Sequence, residues 1–445
     1  LHTKKVIVLQ KDYGCQQVLL NRSLLVHPVL EYLCTQAAKL TNCGIYYGRQ
    51  VWFKERRYLG KYDLEKEYKT NRNYQSLHSQ CAQQVLRTVA ESFKSFYELD
   101  KKARKGDLNQ KPRLPNYRKN GLASCTYPKQ ALKLIDNQIR IPLGQTVNTW
   151  FGIDSFTIPA PSNLDFASIK ELRILPRNRE FYAEFVYEQS RAKRPRLNEK
   201  WALGIDPGIN NWLTCVDSSS SGEGFIIDGR HVKSLNRWYN KQISTLKEGK
   251  PQGFWSKKLA AITEKRNRQM RDAINKAARI VVDYCLRMKV GNVVFGWNEG
   301  QRQEANMGRR NNQAFVQIPT YRLKERIRQL CLRHGINFVE TEESYTSKAS
   351  FLNHDFLPTF GEKPTSWKPS GRRTKRGLYK SLWYGTINAD CNGAANIIRK
   401  VDTTLDIDTS RVSRGALTRP TRIKVWVTAK KSVCAAPLKG ASGTG

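Results

Sequence analysis

Three acidic residues in the second half of the chain have the type and setting for hydrolytic chemistry: Asp206 in Trp-Ala-Leu-Gly-Ile-Asp-Pro-Gly, Glu340 in Ile-Asn-Phe-Val-Glu-Thr, and Asp390 in Ile-Asn-Ala-Asp-Cys-Asn-Gly. Asp206 and Glu340 each close an apolar, β-prone run, which puts each carboxylate at the carboxyl end of a buried strand. Asp390 opens an Ala/Ile-rich stretch that reads as a helix and so belongs in a first turn. Carboxylates gathered over a sheet edge suit hard divalent cations such as Mg²⁺ or Mn²⁺. Two such ions stabilise both the attacking and the leaving oxygen of a phosphodiester. Alone, Asp-Pro-Gly is a common turn and Asp390 an acid that complements a helix dipole; the combination points to a metal-dependent nuclease centre. Glu342 and Glu343 lie close to Glu340, and strand alternation with the six-residue offset to Thr346 favours Glu340.

Elements must position those acids, and composition says what surrounds them. The 445 residues carry a formal charge of +39. A field of that size repels itself in the compact state and calls for a polyanionic partner. Aromatic residues form 10% of the chain, and several, including Tyr46, Trp52, Trp238, Trp367 and Trp383, sit among basic residues where they could stack on bases. No run of 18 apolar residues exists, which excludes a membrane-spanning helix on this pattern. The ten cysteines are scattered without a Cys-x-x-Cys pair, which suits a reducing cytosol better than a disulfide framework.

Residues 1–25 read as strand, 27–55 and 73–105 as helices. In the second helix Leu77, Cys81, Val85, Val89, Phe93 and Phe96 make one apolar stripe, and Gln80, Gln83, Gln84 and Arg87 lie on the opposite face. Glutamine can read adenine and arginine guanine in a major groove, although such a face is commonly only solvated. A basic extended segment follows, with Lys101, Lys102, Arg104, Lys105, Lys111 beside Pro112, Arg113, Arg118 and Lys119 as candidate backbone contacts. Residues 121–190 alternate and break often, as short strands of a small barrel do, and 190–200 reads as a basic linker. Beyond it come strands at 202–205, 211–216 and 224–227, a helix over 256–289, a strand at 292–296, a helix over 320–334 and a strand at 336–340. This β-β-β-α-β-α-β-α order is that of an RNase H-like layered domain. Residues 409–445, with eight Lys/Arg and no acid, read as a mobile or nucleic-acid-bound tail.

The second half resembles the RuvC-type nuclease domain of the TnpB (OrfB) proteins of insertion-sequence transposons, relatives of compact type V CRISPR effectors. The resemblance rests on Gly-Ile-Asp-Pro-Gly at 204–208, Gln-Ile-Pro at 317–319, Val-Glu-Thr-Glu-Glu-Ser-Tyr-Thr-Ser at 339–347 and Asn-Ala-Asp-Cys-Asn-Gly-Ala-Ala-Asn-Ile at 388–397. It covers 200–400 well and the N-terminal half loosely. It implies a multidomain α+β protein. A wedge β-barrel (1–26 and 106–195) would hold an inserted helical recognition lobe (27–105). An RNase H-like (RuvC) nuclease domain (196–400) and a basic tail (401–445) would follow. It implies a cytoplasmic, monomeric, RNA-guided DNA endonuclease that takes a guide RNA and target double-stranded DNA, reads a short target-adjacent motif, and cuts with Asp206, Glu340 and Asp390 on Mg²⁺ or Mn²⁺.

One departure concerns zinc. The family's zinc ribbon would place its two knuckles near 350–353 and 381–384, and the interval 346–390 contains no cysteine. No zinc is expected, and the insert (about 348–386) should be held by aromatic packing or by nucleic acid, with Arg372, Arg373, Lys375 and Arg376 facing a backbone. Competing classes are a guide-dependent DNA binder without cleavage, a transposase, and a junction resolvase. The order Asp, Glu, Asp disfavours a transposase using Asp, Asp, Glu, and a resolvase needs no basic N-terminal half of this size.

Overall fold

The computed structural model describes residues 12–20, 26–108, 110–119, 121–189, 195–219, 224–298 and 318–426. Gln317, residues 190–194 of the basic linker and the end of the tail from 427 lie outside these. The chain is a multidomain mixed α+β protein that divides into two units, Leu1–Arg191 and Ala192–Gly445.

In the first unit, strand β1 (Asp12–Leu19) precedes helices α1 (Val26–Glu55), α2 (Lys61–Tyr68), α3 (Arg72–Gln75) and α4 (Ser79–Arg104). The stripe read from the sequence is the buried face of α4: Cys81, Val85, Val89, Phe93 and Phe96 all lie inside. The expected single helix over 73–105 is interrupted. Asn71 caps α3 by accepting from Asn73 N, and the backbone leaves helical geometry at His78 before α4 starts. Strands β2 (Cys125–Pro128), β3 (Lys133–Ile135) and β4 (Gln138–Pro142), helix α5 (Gln145–Phe151) and strands β5 (Ser155–Pro159), β6 (Ile169–Arg177) and β7 (Glu180–Gln189) follow. Among the described residues these strands form two separate sheets, ordered β1-β7-β6-β2 and β3-β4-β5, and not one closed ring.

The second unit is built on strands β8 (Asn198–Pro207), β9 (Asn211–Asp217) and β10 (Gly224–Asp228), helices α6 (Arg230–Lys247) and α7 (Lys257–Met288), strand β11 (Val290–Gly296), helix α8 (Thr320–His334) and strand β12 (Asn337–Thr341). A small sheet of β13 (Arg372–Lys375), β14 (Leu378–Ser381) and β15 (Gly385–Asn388) leads into α9 (Ala389–Arg399), and later comes β16 (Thr421–Lys424). The main sheet has the order β12-β11-β8-β9-β10-β16. The β8-β9-β10 meander is antiparallel, whereas β11 and β12 run parallel to β8.

Strand alternation assigns the two faces. Leu203, Ile205, Val293 and Phe295 pack with Ala277, Val281, Leu323 and Ile327 of α7 and α8. Ala202 and Val294 pack on the other face with Ile397 and Ile398 of α9. Period two then carries Asp206 and Gly296 to the α9 face.

The tail departs from expectation over its described part. β16 pairs in parallel with β10, and Leu417 and Val425 are buried. Residues up to 426 are therefore integral to this unit. A sequence rich in arginine hid an edge strand whose Ile423, with Val425 just beyond its end, supplies the apolar contacts.

Candidate active-site cleft

At the carboxyl ends of β8 and β11 the second unit opens a cleft of about 660 Å³. It is lined by Asp206, Asn211, Glu343 and Asp390 together with Arg230, Arg373, Arg376 and Arg422. Asp206 sits at the end of β8 against the first turns of α9. A Cβ on Gly393 would come within 2.8 Å of its Oδ2, so only glycine lets the helix pass this close. Asp390 is held in place by the helix start: the Asn388 side chain caps α9 by accepting from the amides of Asp390 and Cys391. Its two oxygens accept from Asn211 Nδ2 and from Arg373 Nη2, each at 2.6 Å.

The third acid differs from expectation. Of the three neighbouring glutamates, the structure turns Glu343 to the cleft, not Glu340. Phe338 packs with the α7/α8 core, so alternation sends Glu340, two residues on, to that same face. There its carboxylate takes the ammonium of Lys324, a cation only 4% exposed and lying over the Trp297 ring at 4.5 Å. Glu342 pairs with Lys400; burial works against its charge, but hydrogen bonds from Lys400 and Ser344 hold its carboxyl below the usual range. Glu343 follows the end of β12, its amide donating to Asn298 Oδ1 at 2.9 Å, and its side chain lies over the end of β11. A Cβ on Gly296 would stand 2.9 Å from Glu343 Cγ. The missing side chain at 296 is what admits the carboxylate. That glycine, closing the Val-Val-Phe-Gly run of the strand beside β8, is the signal in the sequence that could have separated Glu343 from its neighbours.

The electrostatics follow. Burial pushes the Asp206 carboxyl well above the carboxylate range, the charges of Glu343 and Asp390 push it further, and Arg373 opposes them. Glu340 is not among these influences. Among the described residues no three His, Cys, Asp or Glu side chains stand together as a ready metal-ligating group. The donors are nonetheless all hard oxygens in mutual repulsion, which is the chemistry a divalent cation relieves. At Asp390 the guanidinium of Arg373 now supplies positive charge.

The cysteine-free knuckle positions meet through oxygen and nitrogen. Ser350 and Ser381 are fully buried. Ser350 Oγ donates to Asn353 Oδ1 at 2.8 Å, Ser381 Oγ donates to the same oxygen, and Asp355 accepts from the Ser350 amide at 2.7 Å. Of the aromatic residues expected to hold this insert, Tyr379 is buried and donates to Lys348 O, whereas Trp383 is 78% exposed. Phe351 shares a buried cluster with Tyr379, Leu352 and Ile387, and Trp367 meets Tyr345 edge-on at 5.5 Å, so hydrogen bonds and aromatic packing both hold the insert. Arg373 and Arg376 line the cleft, while Arg372 and Lys375 are exposed on β13.

In the first unit, Gln84 and Arg87 line a polar groove of about 460 Å³ with Ser124, Thr126, Arg173 and Arg177. Gln80 and Gln83 do not line it; Gln83 bonds Tyr74 instead. Lys101, Lys102, Arg104 and Lys105 are exposed at the end of α4, and Lys111, Arg113, Arg118 and Lys119 in the extended segment after it. That segment is tied to α1 by Arg49, which donates to Pro115 O, and by Asn42, which accepts from the Arg118 amide. Among the described residues, nine cysteines are free thiols and no helix is long and apolar enough to cross a membrane.

Residues 184–300 match the family model OrfB_IS605, described as a probable transposase. No curated protein matches the chain by sequence. Among solved structures, a Cas12f1–sgRNA–target DNA complex aligns with 84% of this chain and 82% of its own at 14% identity and a TM-score of 0.54. A CRISPR-Cas12f ternary complex aligns over the same shares at 15% identity with a TM-score of 0.32. The chain is thus TnpB-like over the matched segment and similar in fold to a compact type V effector.

Proposed function

We propose that this protein is an RNA-guided DNA endonuclease whose single cutting centre is formed by Asp206, Glu343 and Asp390. The observation that carries this is that those three carboxylates line one arginine-bearing cleft at the strand ends, close enough for Glu343 and Asp390 to raise the Asp206 carboxyl. The main-sheet order, an antiparallel meander flanked by two parallel strands, supports an RNase H-like (RuvC) domain. A wedge-like role for the two N-terminal sheets, with α1–α4 as recognition lobe, is the matching assignment for the first unit. The +39 charge and the similarity to an effector solved with guide RNA and target DNA support RNA and DNA as partners.

Mg²⁺ or Mn²⁺ held by Asp206, Glu343 and Asp390 would supply the positive charge that phosphodiester hydrolysis needs on its attacking and leaving oxygens. The chain's own part is to keep Asp206 desolvated against α9, to fix Asp390 through Asn388 and Asn211, and to set Glu343 over Gly296. Arg373 must release Asp390 for a cation to share that carboxylate. Its present grip favours a second reading, guide-dependent DNA binding with little cleavage.

The test is plasmid cleavage with the copurified RNA and with an RNA whose 3′ segment is reprogrammed, in Mg²⁺ and in EDTA. Guided, Mg²⁺-dependent cutting supports the endonuclease. Guided binding without cutting supports the second reading, and cutting that ignores the RNA returns the protein to the transposase or resolvase class.

A further inference from the structure

On the cleft rim away from β13, two arginines share one carboxylate. Asp228 ends β10 and is only 6% exposed. Arg230, the first residue of α6, donates to it through Nε at 3.0 Å and Nη2 at 2.5 Å. Arg422 of β16 lies 3.5 Å from the same Oδ2 and donates through Nη2 to Asn211 Oδ1 at 2.8 Å. Asn211 in turn donates to Asp390. One carboxylate neutralises one guanidinium, so this cluster carries a surplus positive charge. Both arginines remain open to solvent, 60% and 35% by side chain, and both line the cleft. Burial disfavours the Asp228 charge, but hydrogen bonds from Arg230 and the field of Arg422 keep its carboxyl below the usual range. Its role is therefore to hold two guanidiniums in fixed orientation at a cleft mouth.

We propose that Arg230 and Arg422, braced on Asp228, form a phosphate clamp that seats the backbone of a single DNA strand beside the three carboxylates. A braced guanidinium loses little freedom on binding and presents paired N–H donors to phosphate oxygens. The bridge through Asn211 fixes the distance from clamp to Asp390, so the clamp sets which phosphodiester reaches the acids. This rests on the cleft being the cutting site, but its test does not require cutting.

The probe is a short thymidine oligonucleotide carrying one 5-iodouracil, bound to the full chain in EDTA, irradiated, and mapped by mass spectrometry. Wild-type protein should crosslink at peptides spanning 208–231 and 421–426. Arg230→Gln with Arg422→Gln should cut the yield at those peptides by about tenfold and leave crosslinks elsewhere unchanged. Because that pair strands a buried Asp228, the triple variant adding Asp228→Asn is measured alongside, and both melting curves are recorded. Equal yield at these peptides in wild type and a folded triple variant overturns the clamp. Cleavage of a guided plasmid in Mg²⁺ with the copurified RNA, measured on the same proteins, separates the two ideas: loss of crosslinks with no wild-type plasmid cleavage keeps the clamp and removes the nuclease. Wild-type cleavage with unchanged crosslinks does the reverse.

Discussion

Glu343→Gln and Glu340→Gln change the same atoms three residues apart, and the structure gives them opposite consequences. Glu343 bears on Asp206 across the cleft, and losing one carboxylate of a metal-assisted centre removes transition-state charge stabilisation of several kcal/mol. About 4 kcal/mol corresponds to roughly a thousandfold in rate. Stability should hold or rise slightly, because a repulsive charge leaves Asp206. Glu340→Gln leaves the cleft intact and takes the counter-charge from Lys324, which is 4% exposed. Stranding a buried cation costs about 3–5 kcal/mol in the limit. Since Glu340 itself is about a third open to water, about 1–2 kcal/mol is the fair expectation, or a melting temperature lower by roughly 2–8 °C. Single-turnover cleavage of a guided plasmid and thermal melting of both variants form a crossed design. A dead, fully stable Glu340→Gln beside an active Glu343→Gln would refute the face assignment of β12.

Metal-free protein should lose stability as pH rises. The Asp206 carboxyl is raised in the folded state by burial first and by Glu343 and Asp390 next. Its contribution is thus fully present below the ordinary aspartate value of about 4 and disappears as pH climbs through the folded value. Melting in EDTA across pH 4–8 should show this slope, and Asp206→Asn should flatten it. Ser350→Ala with Ser381→Ala should loosen the insert by about 1–3 kcal/mol, because Asn353 Oδ1 loses both donors. Limited proteolysis should nick 356–368 faster, and elemental analysis of the wild type should find well under one zinc per chain. If α4 reads the target-adjacent motif, Gln84→Ala and Arg87→Ala should shift the preferred motif in a randomised-flank assay, while Gln80→Ala and Gln83→Ala should not.

The placement of Asp206 and Asp390 was legible because each is set by short-range rules: an apolar run ending in Asp-Pro-Gly, and an asparagine cap before an Ala-rich helix. The α4 stripe was legible for the same reason. The choice among Glu340, Glu342 and Glu343 was not. Phe338 and Val339 are both apolar, so alternation within β12 does not announce which face is which. The partners that decide it, Lys324 on α8 and Lys400 after α9, are distant in sequence. Helix α6 was missed although Val232, Leu235, Tyr239, Ile243 and Leu246 recur at helical spacing; the stripe is sparse among basic and polar residues, and of the helix only Val232 and Asn236 are buried. β16 escaped because an edge strand is defined by its neighbour β10, nearly 200 residues earlier.

The charge arrangement of the cleft carries the argument one step further. Three carboxylates and four arginines line one cleft of about 660 Å³, and the arginines are not equivalent. Arg230 and Arg422 are bound to a buried acid outside the carboxylate trio, so a cation entering the cleft leaves them where they are. Arg373 is bound to Asp390, a member of the trio, so a cation competes with it directly. It projects from β13, which among the described residues pairs only with β14. Positive charge at Asp390 can thus be exchanged between a side chain on a small outlying sheet and a metal ion, while the charge that meets a DNA backbone stays fixed on the main sheet and α6. On the proposed reading, substrate seating and metal loading would fall to different elements of the same unit, and Arg373, which a cation would have to displace from Asp390, belongs to the insert in which the cysteines are missing.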